Sequence, residues 1–178
     1  MKQTTEEKKA YQKARNARPE GKAYMKEYRA RPTVRAANMA RSAKRYATLE
    51  GRAYALFKAA ESRAKKRGGV VTLPLDWFTE NLEAGTVCEI FGVAPVMTTP
   101  YSKARRHPFA PSVDRIDNSN RDYTLENARW VCDYGNRAIG EYGLDFFDAM
   151  ACRRIRHGNI DINDPKHEAL ITAMAESR

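Results

Sequence analysis

The stretch PSVDRIDNSNRDYTLENARWVCDYGN, Pro111 to Asn136, decides how this chain is read. Asp114 and Asp117 close a strand-like run that begins at Pro111. Asn118-Ser119-Asn120-Arg121-Asp122 is turn material, because such side chains satisfy nearby backbone groups. ARWVC, at Ala128 to Cys132, alternates polar and apolar residues as a half-buried strand does. DYGNRAIGEYG then opens a short helix. The order is strand, loop, strand, helix, and the loop folds the strands back so that Asp114 and Asn136 can converge.

Two meanings compete for that stretch. Taken alone, DRIDNSN is a strand end running into an Asx-rich turn, with Asp114 ion-paired to Arg115 or Arg129. Taken with Asn127, RWVC and Asn136, it holds the oxygen donors of a hydrolytic metal site. Phosphodiester hydrolysis needs charge neutralised at the phosphate, an activated water and a protonated leaving group, and one hard cation serves the first and helps the last. Such a cation takes oxygen ligands, with water and substrate phosphate completing its shell. A carboxylate from Asp114 and an amide oxygen from Asn136 are ligands of that kind.

Working toward the N-terminus, VCEIFGVAPV (87–96) is a strand-like run followed by a Pro/Thr/Tyr/Lys loop. LPLDWFTENLEAG predicts a helix that begins near Pro74 and stops at Gly85, with Leu75, Phe78 and Leu82 on one side and Trp77 beside them. Trp130 and Phe109 are expected in the core. Before Gly68-Gly69 lies a helical segment rich in Ala, Lys, Arg and Tyr, broken at Arg18-Pro19 and Arg31-Pro32. EGKAY at Glu20–Tyr24 returns as EGRAY at Glu50–Tyr54, a loose duplication. From Arg35 to Lys66 no proline interrupts, and Met39, Ala43, Tyr46, Ala53, Phe57, Ala60 and Ala64 form a mostly alanine stripe broken at Glu50. Such a stripe buries little area. Basic residues Arg41, Lys44, Arg45, Arg52, Lys58, Arg63, Lys65, Lys66 and Arg67 surround it and suit a nucleic-acid backbone.

The formal net charge is +10. Residues 1–68 carry 20 Lys and Arg against 6 Asp and Glu, and the remainder 12 against 16. A cationic arm on a near-neutral globule points to a polyanionic partner. Cys88, Cys132 and Cys152 are odd in number and far apart, which argues against a disulfide framework or a zinc knuckle and for three small buried hydrophobes. No apolar run approaches a membrane span and no signal peptide is visible, so a cytoplasmic protein is expected. Beyond Gly143, LDFFDAMACRRIRH and DPKHEALITAMAESR read as two helices that pack on the core. His157 and His167 within them have no ligand-like neighbours.

HPFAPSVDRID and NSNRDYTLENARWVCDYGNRA together resemble the HNH branch of the His-Me finger (ββα-metal) nucleases, most of all the phage and mobile-element members whose first motif reads D-R-I-D. Cys88-Glu89-Ile90-Phe91-Gly92 resembles the short strand and turn that open that module. The likeness runs from Cys88 to about Ala138; the flanks match in character only. It implies an α+β fold: a basic helical DNA-binding arm over residues 1–68, a ββα-metal nuclease core over 69–143 and a C-terminal helical extension over 144–178. It further implies one divalent ion, Mg2+ or Mn2+, with no structural zinc expected, and double-stranded DNA as the substrate; one site on a monomer would nick it, and a double-strand break would need a dimer or a second visit. A phage-borne gene would place the product in the bacterial host cytoplasm.

Residue by residue, Asp114 takes the place of the family's first-strand metal ligand and Asn136 that of the second, on the helix. Asn127 matches the asparagine that ties the loop through backbone hydrogen bonds. Arg115 stands where the family's general-base histidine sits, and an arginine, with a pKa above about 12, cannot act as that base. Three alternatives stay open. His107 serves as base, its ordinary pKa of about 6.5 suiting the task. Otherwise a metal-activated water attacks while Arg115 clamps the phosphate and Asp117 acts as base or further ligand. In the third the site is inactive. Two functions other than cleavage fit the same residues: a nucleic-acid-binding protein on a disabled scaffold, and an RNA-binding module that uses the arm alone.

Overall fold

The computed structural model describes residues 4–97, 107–158 and 160–176, and it divides into two compact units, Met1–Lys44 and Arg45–Arg178. Among the described residues the protein is α+β, mostly helical, with one small antiparallel sheet.

The first unit is built from α1 (Thr5–Ala17), α2 (Pro19–Ala30) and most of α3 (Pro32–Tyr46). Thr4 and Glu7 form a capping box that satisfies the first turn of α1. Pro19 opens α2 and Pro32 opens α3. Each proline forces the residue before it into extended backbone, ψ 151° at Arg18 and 131° at Arg31, so the helices break at both points. Neither α2 nor α3 buries a described residue. Intrinsic propensity, with a proline at the start of each, therefore carries these two helices with little help from packing. Residues 1–44 hold 13 Lys and Arg against 4 Asp and Glu, a balance of +9, while residues 45–178 hold 19 against 18. The cationic excess of the chain belongs almost wholly to this unit.

The expected uninterrupted helix from Arg35 to Lys66 is in fact two. The Thr48 hydroxyl accepts the Gly51 N–H at 3.1 Å and starts α4 (Leu49–Arg67), leaving Glu50 in the first turn, where the helix dipole favours an acid. Gly68, at φ 76°, ends α4 in the left-handed conformation that glycine adopts without strain. Ala53, Leu56, Ala60 and Ala64 recur at helical spacing and are buried together with Leu73, Phe78, Leu82, Val113, Tyr123 and Trp130. The α4 alanines of the stripe thus do bury, because small side chains let α5 (Leu75–Glu83) approach closely, whereas Met39 and Ala43 on α3 are exposed. This moves the boundary of the arm: α4 is part of the compact core, and the cationic unit ends at Lys44 instead of residue 68. On α5, Phe78 and Leu82 face that core, but Leu75 is exposed.

β1 (Pro111–Arg115) and β2 (Ala128–Cys132) pair antiparallel, with Val113 opposite Trp130 and Asp114 opposite Arg129. A lone hairpin is marginal in water, so both faces must be covered. Val113 and Trp130 turn one face to α4 and α5, where Trp77 meets Trp130 edge-on at 5.7 Å. Val131 on the opposite face packs with Cys88, Phe109 and Cys132 in a second, smaller cluster. α6 (Asp133–Ile139) follows β2 without a linker.

The run 87–96 is not a strand. The Cys88 N–H donates to the Val93 carbonyl and the Gly92 N–H to the Cys88 carbonyl, closing a turn at Gly92, φ 63°. Glu89 instead docks on the edge of β2 that β1 leaves open: its N–H donates to the Trp130 carbonyl and its carboxylate accepts the Trp130 N–H. α7 (Leu144–Gly158) and α8 (Pro165–Glu176) form as expected but bury no described residue. Phe147 of α7 meets the ring of Phe91, which packs on the second cluster, with ring centroids 5.9 Å apart. Cys88 and Cys132 are buried, whereas Cys152 on α7 is exposed and is no core hydrophobe. No helix among the described residues is long and apolar enough to cross a membrane.

Candidate functional site

Strand alternation sorts the residues of β1. Ser112 and Asp114 lie on one face, and Val113 and Arg115 on the other. Adjacent in sequence, Asp114 and Arg115 therefore enter different surroundings. Asp114 is buried, and Arg129, its cross-strand partner, donates from Nη2 at 2.8 Å and Nε at 3.2 Å to Oδ2 of its carboxylate. Both side chains are over nine-tenths buried, so each charge depends on the other. Of the two pairings open to Asp114 in the sequence, the fold makes the one with Arg129. Neither bond uses Asp114 Oδ1.

α6 carries Asn136 back to the same face of β1. Its first turn is capped by the Cys132 thiol, which accepts the Gly135 N–H, and burial pushes that thiol up to about 11, so it stays protonated at neutral pH. The Asp133 N–H donates to the Ala110 carbonyl and the Tyr134 N–H to the Pro108 carbonyl, which anchors the helix start on the approach to β1. Asn136 then donates from Nδ2 to the Ser112 hydroxyl at 2.8 Å and to the Val113 carbonyl at 2.9 Å. The amide oxygen is its remaining acceptor.

The loop between the strands hangs on Asn127, which is buried. Its Oδ1 accepts the Asp117 N–H, and its Nδ2 donates to the carbonyls of Asp117, Asn120 and Asp122. Asn127 thus ties the loop through its backbone groups. Arg115 serves the loop too: it donates to the Asn120 carbonyl and the Asn118 side chain and lies 5.8 Å over the Tyr123 ring. It is buried, and its guanidinium is spent on these loop partners. Asp117 is exposed; the Ser119 hydroxyl and N–H hold its carboxyl below the usual range. A carboxylate so stabilised is a weaker base than an ordinary one.

His107 is engaged at both ring nitrogens. Nδ1 accepts the Phe109 N–H at 3.0 Å, which leaves the proton on Nε2, and Nε2 lies 2.9 Å from the Met174 carbonyl. To act as a base it would have to surrender one of these bonds.

The nine basic residues divide by role. Arg63 reaches into the core, donating to the Val113 carbonyl at 2.9 Å and the Tyr123 hydroxyl at 3.1 Å, so it staples α4 to the hairpin. Arg52 donates to the Tyr46 carbonyl, Lys58 pairs with Glu61, and Arg67 reaches Glu141 at 3.3 Å. Arg45 lies 6.0 Å over Tyr54. Arg41 and Lys44 on α3, and Lys65 and Lys66 on α4, are exposed.

Asp114 and Asn136 supply oxygen donors of the right kind for a hard cation, one carboxylate and one amide, on one face of the hairpin. Two ligands fit a magnesium-type site that keeps waters and takes substrate oxygens. Among the described residues no group of three or more His, Cys, Asp or Glu could hold a metal ion. Arg129 is the partner of Asp114 that the motif alone leaves ambiguous; its register opposite Asp114 is what identifies it. Ser112 and Glu89 carry no signal in the sequence, since their partners are backbone and amide groups fixed by the fold. No protein-family model, curated protein or solved structure matches the chain.

Proposed function

We propose that the protein is a divalent-metal-dependent DNA endonuclease of the HNH type, with a ββα-metal core formed by β1, β2 and α6. The observation that carries this reading is the docking of Asn136 on β1, where its bonds to Ser112 and Val113 set its amide on the face that bears Asp114. Asp114 and Asn136 would hold one Mg2+ or Mn2+, which when bound neutralises charge at the scissile phosphate and stabilises the leaving oxygen. Asn127 keeps the loop, and with it the end of β1, in place. The +9 unit of residues 1–44 supplies sequence-independent attraction to the phosphate backbone. One such site per chain cuts one strand, so nicking is the expected product.

A second reading is a DNA-binding protein on the same scaffold that does not cut. The Asp114–Arg129 pair favours it, because the carboxylate already has a counter-ion. Supercoiled plasmid separates the two. Nicking that requires Mg2+ or Mn2+, stops with chelator and is lost in Asp114→Ala and Asn136→Ala establishes the nuclease. Salt-sensitive binding with no cut in a random-sequence pool establishes the binder.

A further inference from the structure

We propose that Arg129 is the resident counter-ion of Asp114, holding the carboxylate in competition with a divalent cation and turning to the substrate phosphate when the cation binds. The inference deepens the nuclease reading and rests on it for the role of Asp114. A carboxylate this buried needs a cation beside it, and Arg129 is that cation in the ligand-free chain. Both Arg129 bonds converge on Oδ2, so a metal ion can approach through Oδ1 before either bond breaks. Once the ion shares the carboxylate, the attraction that holds the guanidinium falls. A phosphate completing the metal shell would offer the guanidinium another strong acceptor, and the planar fork of arginine matches it.

Metal and DNA binding become coupled. Without DNA, Arg129 wins and the chain binds cations weakly. With a phosphate in place Arg129 has a second partner, and Asp114 is released to the ion. Such linkage is reciprocal, and its usual span is about 5- to 150-fold.

The test is Mn2+ binding by the full chain, measured by calorimetry without DNA. Arg129→Gln should bind at least about tenfold tighter than wild type, within that span, and Arg129→Gln with Asp114→Asn should lose the gain. Wild type should bind Mn2+ tighter when a short uncleavable phosphorothioate duplex is present, and Asp114→Asn should not. If Arg129→Gln binds no tighter, or keeps its gain without Asp114, the inference is overturned. Should Arg129→Gln fail to fold, the duplex arm decides: a wild-type affinity that the duplex does not change overturns it. The nuclease reading fails separately. An Asp114-dependent gain in a protein that never nicks plasmid leaves Arg129 as proposed and removes cleavage; nicking without the gain does the reverse.

Discussion

Arg129 stands directly across the hairpin from Asp114 and sets Nη2 and Nε on the same carboxylate oxygen, at 2.8 and 3.2 Å. Both side chains are over nine-tenths buried, so the two halves of the pair are not independent. Asp114→Leu or Arg129→Met alone strands the remaining charge and should cost about 3–5 kcal/mol. The double variant should recover most of that loss, since apolar replacement of a whole buried pair is often neutral. Urea unfolding of the four proteins of this cycle checks it; additive losses would show that the residues act separately.

Arg63 and the neighbouring lysines should divide cleanly between stability and binding. Arg63→Ala removes the bonds to Val113 and Tyr123 and should cost about 1.5–3 kcal/mol, the range for charged hydrogen bonds. Its effect on the salt dependence of DNA binding should be small. Lys65→Ala with Lys66→Ala should leave stability nearly unchanged and lower the salt slope by about 2, if both meet phosphate. Binding isotherms across a salt series read both outcomes.

Asn127→Ala should loosen the loop without unfolding the core. It frees the Asp117 N–H and three carbonyls at once, a loss of about 2–3 kcal/mol. Hydrogen exchange at the Asp117 amide should accelerate far more than at Val113. Equal acceleration at both would mean that the residue supports the whole hairpin.

The Asp117 carboxyl has a definite pH signature. Its folded pKa is depressed by the Ser119 bonds, so its contribution to stability is present above the ordinary carboxylate range. That contribution is lost as pH falls through the depressed value. Wild type should therefore exceed Asp117→Asn in melting temperature at neutral pH and lose that lead in acid. A gap that is constant with pH would rule out the ionised carboxylate as its source.

One of the three thiols should react quickly. Cys152 is exposed on α7, whereas Cys88 and Cys132 are buried and Cys132 titrates near 11. Thiolate is the reactive form, so a disulfide reagent at mild pH should label one equivalent in the native chain and three after unfolding. Labelling of Cys132 in the native state would contradict its packing.

By itself the sequence determined the features that local chemistry controls. Proline at 19 and 32 set the helix breaks, Asx and Ser residues after Ile116 set the turn, and period-two alternation in ARWVC set the strand. The order of strand, loop, strand and helix was legible for the same reason. Only the tertiary structure decided where α4 belongs, because an alanine stripe has meaning only against the surface it meets, and here that surface holds Phe78 and Trp130. Only the fold separated Asp114 from Arg115. They are neighbours in the chain, yet strand pleating sends one to Arg129 and the other to Asn118 and Asn120. Burial then made those partnerships binding: away from water a charge must take whatever counter-charge the register brings, and register is a property of paired strands.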